Sequence, residues 1–450
     1  MQTARRWIIG VVNEPITTDN QFSSLTTFRQ AAYRCLGRAR DAQLDLTDAV
    51  LLTSAANSFA ELSLSPVFRR KWPSVYEAIQ DGCPDRAALL KLYLARIPTA
   101  SRPVLAGDHT AWSRLSAPTL RDRSIQHQPA RLKVHRPITV GHGYSTLAWI
   151  PQLVGSWANP LLHERVGSMD SPVSQGGEQL RRVCQGLAVR PISLWDTEYG
   201  SARFANETAD IPADKIVRLR LNLHLRGVPP PYSGRGRRPI HGRRFRFKDP
   251  TTWGEPVETL ETEHPRFGRV RVASWDDLHF TQAPQQRLVV ARIERLDARG
   301  TRRAPQVMWL AWLGAEPPPL AEWWALYFWR FRIDHWYRFA KRRLYWTLPC
   351  FGTPEQAERW SDLMPFLSWE LWLARQGVVD RPLPWQKAQA ELTPGHVCQV
   401  MGSILAAIGT PACVPKTRGK APGWQTGRPR KRRLHHPIVY KCPRRRRPAT

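Results

Sequence analysis

The tract from Pro319 to Tyr345 constrains this chain more than any other stretch. It reads as one long helix, and Trp323, Trp324, Phe328, Trp329, Phe331, Trp336 and Tyr337 crowd it. A helix that apolar is mostly buried, so the charged groups it carries need partners. Tyr327, Arg330, Asp334 and Lys341 fall on it with the spacing Y-x2-R-x3-D-x6-K. At about 100° per residue these four side chains share a face roughly 60° wide. The plain alternative is a solvated stripe with an internal i,i+4 ion pair such as Arg330 with Asp334. The chemical alternative is an acid that ligates a metal ion beside two cations that clamp phosphates.

Two more acids stand where strands should end or pass the sheet centre. Asp108 follows the apolar run Val104-Leu105-Ala106-Gly107, and Asp196 closes Pro191-Ile192-Ser193-Leu194-Trp195. A charge at the end of a buried strand usually has a functional or paired role. Asp108, Asp196 and Asp334 together form a hard-oxygen set suited to two Mg²⁺ or Mn²⁺ ions about 3.5–4 Å apart. Such a pair activates water or a 3′-hydroxyl and stabilises the leaving oxygen of a phosphodiester.

Charge points to the partner. Lys and Arg total 67 against 37 Asp and Glu, a net charge of +30. That surplus implies a polyanion, nucleic acid before membrane. It is concentrated in residues 416–450, which hold thirteen Lys or Arg and no acid and read as a disordered tail that binds DNA phosphates. The seven Cys are dispersed, without a CxxC pair. They argue against a zinc ribbon and for reduced thiols in a cytoplasmic protein. The longest apolar region, Val307 to Trp329, is broken by Gly314, Glu316, three prolines and Glu322, so no membrane span is expected.

Along the chain, residues 1–98 read as a helical, DNA-binding N-terminal domain, with helix starts at Thr47-Asp48 and Pro84-Asp85. Strands are expected at 103–108, 138–150, 189–196 and 216–225, with a helix at 179–186. Residues 99–225 thus form the first part of an α/β core. The Pro-, Gly- and Arg-rich change at 226 opens a β-rich insertion to 312, with strands near 268–275 and 287–295. Residues 313–415 return to the core and end in helices near 353–376 and 394–408.

These features together resemble the DDE transposases of bacterial insertion sequences, the branch marked by a Y-x2-R-x3-E-x6-K signature. The first acid lies in LAGDHTAW, the second in SLWDTEYG with IVRLRLNL following, and the C-terminal LTPGHVCQVMGSILAAIGTPACVPKTRGKAPG is also similar. The gaps between the acids are 88 and 138 residues, the second being long, as in members with a β domain inserted there. The resemblance implies a ribonuclease H-like core, two ions held by Asp108, Asp196 and Asp334, and a transposon end gripped by Tyr327, Arg330 and Lys341. It implies a homodimer bringing two DNA ends together, the element's terminal repeats and target DNA as partners, and a base flipped near the cut. Trp253 and Trp275 could stack on such a base, with core packing the better expectation. His109 and His142 are expected to be structural, although His142 could face the site. Glu198, close to Asp196, is expected to be a surface or supporting residue. The family's third acid is Glu where this chain has Asp334, a reach shorter by roughly 1.5 Å. Glu322, about 120° round the helix, is no substitute. A catalytically inactive DNA-binding protein or repressor is therefore the alternative.

Overall fold

The computed structural model describes residues 21–440 apart from 128–137, 153–154, 266, 298–305, 380–383, 386–390, 418–422, 424 and 430–431. Four helices come first: α1 (Ser23–Cys35), α2 (Arg40–Leu52), α3 (Pro73–Asp81) and α4 (Arg86–Leu94). Asp85 caps α4 as expected, its side chain accepting from the Ala88 amide at 2.9 Å. Thr47-Asp48 does not open a helix. Both lie inside α2, where Asp48 is buried against Arg29. A tertiary ion pair, not a cap, explains that acid.

The strands β1 (Val104–Ser113), β2 (Ser124–His127), β3 (Ile138–Ile150) and β4 (Asn159–Val166) are followed by α5 (Pro172–Gln185) and β5 (Ile192–Trp195). Next come α6 (Ala202–Glu207) and β6 (Asp214–Leu219). β1 runs antiparallel to β3 and parallel to β5, β5 is parallel to β6, and β4 pairs antiparallel with β3. The order β4-β3-β1-β5-β6 therefore puts β1 at the centre, with helices on its faces. The helix expected at 179–186 begins earlier, at Pro172 behind the Ser171 cap. Gly176 made that stretch look like a loop. It is needed because the rings of Trp195 and Tyr199 lie where a Cβ would stand, within 2.9 Å. The strand expected at 216–225 breaks at a turn in which the Leu223 amide reaches the Arg220 carbonyl.

The chain continues through β7 (His224–Arg226), β8 (Arg244–Arg246), β9 (Glu258–His264), β10 (Gly268–Phe280), β11 (Ala283–Arg295) and β12 (Val307–Leu313). β12 pairs antiparallel with β6, so the strands of 226–312 extend the central sheet to twelve strands. The helical region follows: α7 (Leu320–Leu326), a 3₁₀ turn (Tyr327–Arg330), α8 (Phe331–Arg342), α9 (Pro354–Ala374) and α10 (Pro394–Ile408). The expected single helix from 319 to 345 is thus interrupted by the 3₁₀ turn.

α9 is the hub between the N-terminal helices and the sheet. Phe366 stacks on Phe28, and Trp369 stacks on both Tyr93 and Trp149. Within 416–450, His436 and Val439 donate backbone hydrogen bonds to the carbonyls of Pro118 and Arg123, beside β2. Nine of that segment's thirteen Lys and Arg, and with them most of the expected tail, lie outside the described residues. Among the described residues no helix is long and apolar enough to cross a membrane.

Candidate active site

β1 and β5 are parallel neighbours with Gly107 opposite Trp195. The next residue on each is an acid, so Asp108 and Asp196 stand side by side in strands about 4.8 Å apart; β1 does not end at 108 as expected but continues to Ser113, so Asp108 sits within it opposite Thr146 of β3. Gly107 is required for this pairing: a Cβ there would meet the Trp195 ring at 2.0 Å. Asp196 falls just beyond β5 rather than within it. Its Oδ1 accepts the Thr197 amide at 2.7 Å, and Asp108 Oδ1 accepts the His109 amide at 2.8 Å.

The third acid arrives from α8. Arg330 is 4% exposed. Its guanidinium donates to Asp108 Oδ2 at 3.0 Å and lies 3.5 Å from Asp334 Oδ2. Both the solvated-stripe pairing and the tertiary pairing are therefore present on one side chain. In the 3₁₀ turn, with about three residues per turn, Tyr327 and Arg330 are nearly eclipsed. Tyr327 is fully buried beside Arg330. Tyr337, one helical repeat beyond Arg330, donates toward the Asp108 carbonyl at 2.9 Å and sits 2.8 Å from Thr146 Oγ1. Lys341 donates to Thr110 Oγ1 at 2.7 Å and to the Ala111 carbonyl at 3.1 Å, riveting α8 to β1.

The electrostatics follow from this crowding. Burial, with the Asp196 charge adding to it, pushes the Asp108 carboxyl above its usual range against the pull of Arg330. Burial and then the negative charges of Asp108 and Asp196 raise Asp334 to about 6, opposed by Arg330. Asp196 is held below the usual range: Arg330, the Thr197 amide and Arg218 outweigh its burial. Burial lowers Lys341 to about 8, with Asp108 opposing. The three acids offer only hard oxygens, the donor type that Mg²⁺ and Mn²⁺ prefer. In the arrangement described, the cation among them is Arg330. Among the described residues no three acidic, His or Cys side chains converge closely enough to hold a metal.

The neighbours sort clearly. His109 Nε2 is 3.4 Å from Glu198 and its Nδ1 is 4.0 Å from Asp108, so the pair flanks the first acid. His142 does not face the site; it is buried, with Nε2 3.1 Å from the Arg121 carbonyl. Trp253 and Trp275 pack with Phe245 and Trp309 in the aromatic core of the insertion. The bracing roles of Tyr337, Thr110 and Thr146 were missed by sequence. Only Tyr337 carried a signal, its seven-residue spacing from Arg330.

A search of curated proteins finds no match. Residues 31–279 match the family described as DDE superfamily endonuclease. That stretch takes in the end of α1, the helices α2 to α4, Asp108 and Asp196, and stops ahead of Asp334. It covers more than half of the sequence, and the chain accordingly belongs to the DDE superfamily endonucleases.

Proposed function

We propose that this chain is a transposase that cuts the ends of a DNA element and joins the freed 3′-hydroxyl strand to target DNA. The strand order around β1 supports a ribonuclease H-like core, with 226–312 as its β-rich insertion. Asp108, Asp196 and Asp334 would hold two divalent ions, Mg²⁺ or Mn²⁺. Bound there, the ions would activate the attacking hydroxyl and neutralise charge on the departing oxygen of the phosphodiester. The chain's own residues do the rest. Tyr337 and Lys341 fix α8 against β1, so the third acid is presented to the first two. Once released from the carboxylates, the Arg330 guanidinium is a bidentate clamp for a DNA phosphate. His109 stands between Glu198 and Asp108 at the rim.

The observation that carries this reading is the grasp of Asp108 and Asp334 by one buried guanidinium, with Asp196 beside Asp108 on the next strand. A strand-transfer assay with Mn²⁺ and an element-end substrate tests it. The wild type should cleave and join, and Asp108→Ala should lose at least about a thousandfold of the rate, a loss of roughly 4 kcal/mol in transition-state stabilisation. Equal rates would end the assignment.

A second reading is a DNA-binding repressor without catalysis. It is favoured by Asp334 standing where the resembling branch has Glu. In that case both proteins bind DNA and neither cuts it.

A further inference from the structure

Between β7 and β8 the chain makes a loop, residues 227–243, set in the most one-sided charge of the insertion. Residues 224–248 hold eight Lys or Arg and no acid. The loop is pinched at its base. The Gly227 amide donates to the Arg243 carbonyl at 2.9 Å, and the Gly242 amide to the Gly227 carbonyl at 3.0 Å. His241 moors the returning arm: its ring stacks on buried His279, with Nδ1 3.0 Å from His279 Nε2. Three successive prolines, Pro229 to Pro231, stiffen the outgoing arm. Beyond these supports the tip, Gly234-Arg235-Gly236-Arg237-Arg238, is exposed throughout. The Tyr232 hydroxyl shapes it by donating to the Gly236 carbonyl at 2.9 Å. Gly234 and Gly236 have φ of +81° and +76°, and a Cβ on either would meet nothing within 4 Å. Among the described residues, Arg235, Arg237 and Arg238 have no ion-pair or hydrogen-bond partner.

The sheet fixes where this tip points. β6 is parallel to β5, and antiparallel pairings then lead from β6 through β12, β11 and β10 to β7. Those reversals cancel, so β7 runs parallel to β5. The loop after β7 therefore leaves the sheet at the end where Asp196 follows β5. In the order β5-β6-β12-β11-β10-β7 the two strands stand roughly 24 Å apart. About seven base pairs of duplex span that length, so one duplex can meet the acids and the tip together.

We propose that Arg235-Gly236-Arg237 is an arm that enters the minor groove of an A·T-rich segment of the bound DNA. That groove is about 6 Å wide, and Gly236 keeps the backbone between the two arginines thin. A·T tracts narrow it further and deepen its negative potential, which draws arginine in. The floor of an A·T pair offers only acceptors, and a guanidinium offers only donors. A G·C pair puts an amino group there instead. Arg238 and Arg244, exposed beside the arm, meet the flanking phosphates. A loop that only made the surface basic would hold phosphates with no preference among base pairs.

This arm rests on the reading of DNA as substrate, and a binding test that needs no cleavage keeps the two apart. Fluorescence anisotropy with the full chain compares three duplexes, alike except for a central tract of A·T, G·C or inosine·C pairs. Inosine·C presents the minor groove of A·T and the major groove of G·C. The wild type should bind the A·T and inosine·C duplexes equally and the G·C duplex about tenfold more weakly. Arg235→Ala with Arg237→Ala, both at exposed positions, should melt like wild type and lose that difference. Residues 427–433, Gly-Arg-Pro-Arg-Lys-Arg-Arg, carry a similar run, so the arm is read as the difference between wild type and variant. Inosine·C bound as weakly as G·C would move the readout to the major groove and overturn the arm. Equal binding of all three duplexes by wild type would leave phosphate contacts alone and overturn it too, as would a preference undiminished in the double variant. A wild type that binds no duplex at low salt overturns the DNA substrate itself.

Discussion

Arg330 is the residue on which the site's charge balance turns. It is nearly inaccessible, and it faces two carboxylates of which one, Asp108, is also buried. Removing one partner of a buried ion pair costs about 3–5 kcal/mol, because the remaining charge is stranded. Asp334 is 45% exposed, so solvent screens its share and the lower end of that range applies. Arg330→Gln should therefore lower stability by about 3 kcal/mol in chelator-treated protein. Mn²⁺ should restore more of the melting temperature in the variant than in wild type, since the ion no longer has to displace a guanidinium. Thermal melts with and without Mn²⁺ decide this. A variant that melts like wild type in chelator would show that Arg330 is not the counter-ion of these acids.

Between elements, the largest electrostatic stake is the buried cluster joining α1, α2 and α9. Arg29 Nη2 donates to Asp48 Oδ2 at 2.9 Å, its Nη1 donates to Glu370 Oε1, and Asp48 Oδ1 lies 2.9 Å from the same Nη1. Two buried carboxylates share one buried guanidinium, so a retained proton is favoured. Burial, against the pull of Arg29 and with Asp48 adding to it, raises Glu370 from its ordinary 4.5 to about 8. A folded value above the unfolded one means that folding favours the protonated form. The contribution is whole below pH 4.5 and is lost as pH rises to and through about 8. Within that window the decline approaches about 1.4 kcal/mol per pH unit. Glu370→Gln keeps the shape without the charge and should flatten the curve. Urea melts near either end of the window measure it, and parallel slopes in the two proteins would contradict the assignment.

For the whole molecule the dominant quantity is the net charge of +30. DNA affinity should fall steeply with salt, by a slope of about 0.9 per phosphate neutralised. Deleting 416–450 removes thirteen cations and should reduce that slope by several units. His436 and Val439 contact the loop and strand around Pro118 and Arg123, so a melt of the truncated protein must accompany the titration. An unchanged slope would place the phosphate contacts on the folded body.

Much of this was legible before any coordinates. β3 and the helices ending at Leu94 and Ile408 fall where periodicity and caps place them, because burial on one face and a Ser, Thr or Asp cap are local properties. Asp108 and Asp196 were conspicuous as charges following apolar runs, and Asp334 as a charge on an aromatic-rich helix. What the sequence could not determine is which groups answer one another across hundreds of residues. Asp48 looked like a cap and is half of a buried ion pair. Gly176 looked like a loop and is the space left for two rings. Asp334 looked like a metal ligand awaiting an ion, and in the folded chain Arg330 already stands against it and Asp108. Spacing and strand ends marked the candidate acids, and the motifs around them resembled the superfamily that residues 31–279 match. Only tertiary packing, which decides the neighbours of each desolvated charge, assigned Arg330 the place of the cation between the first and third acids.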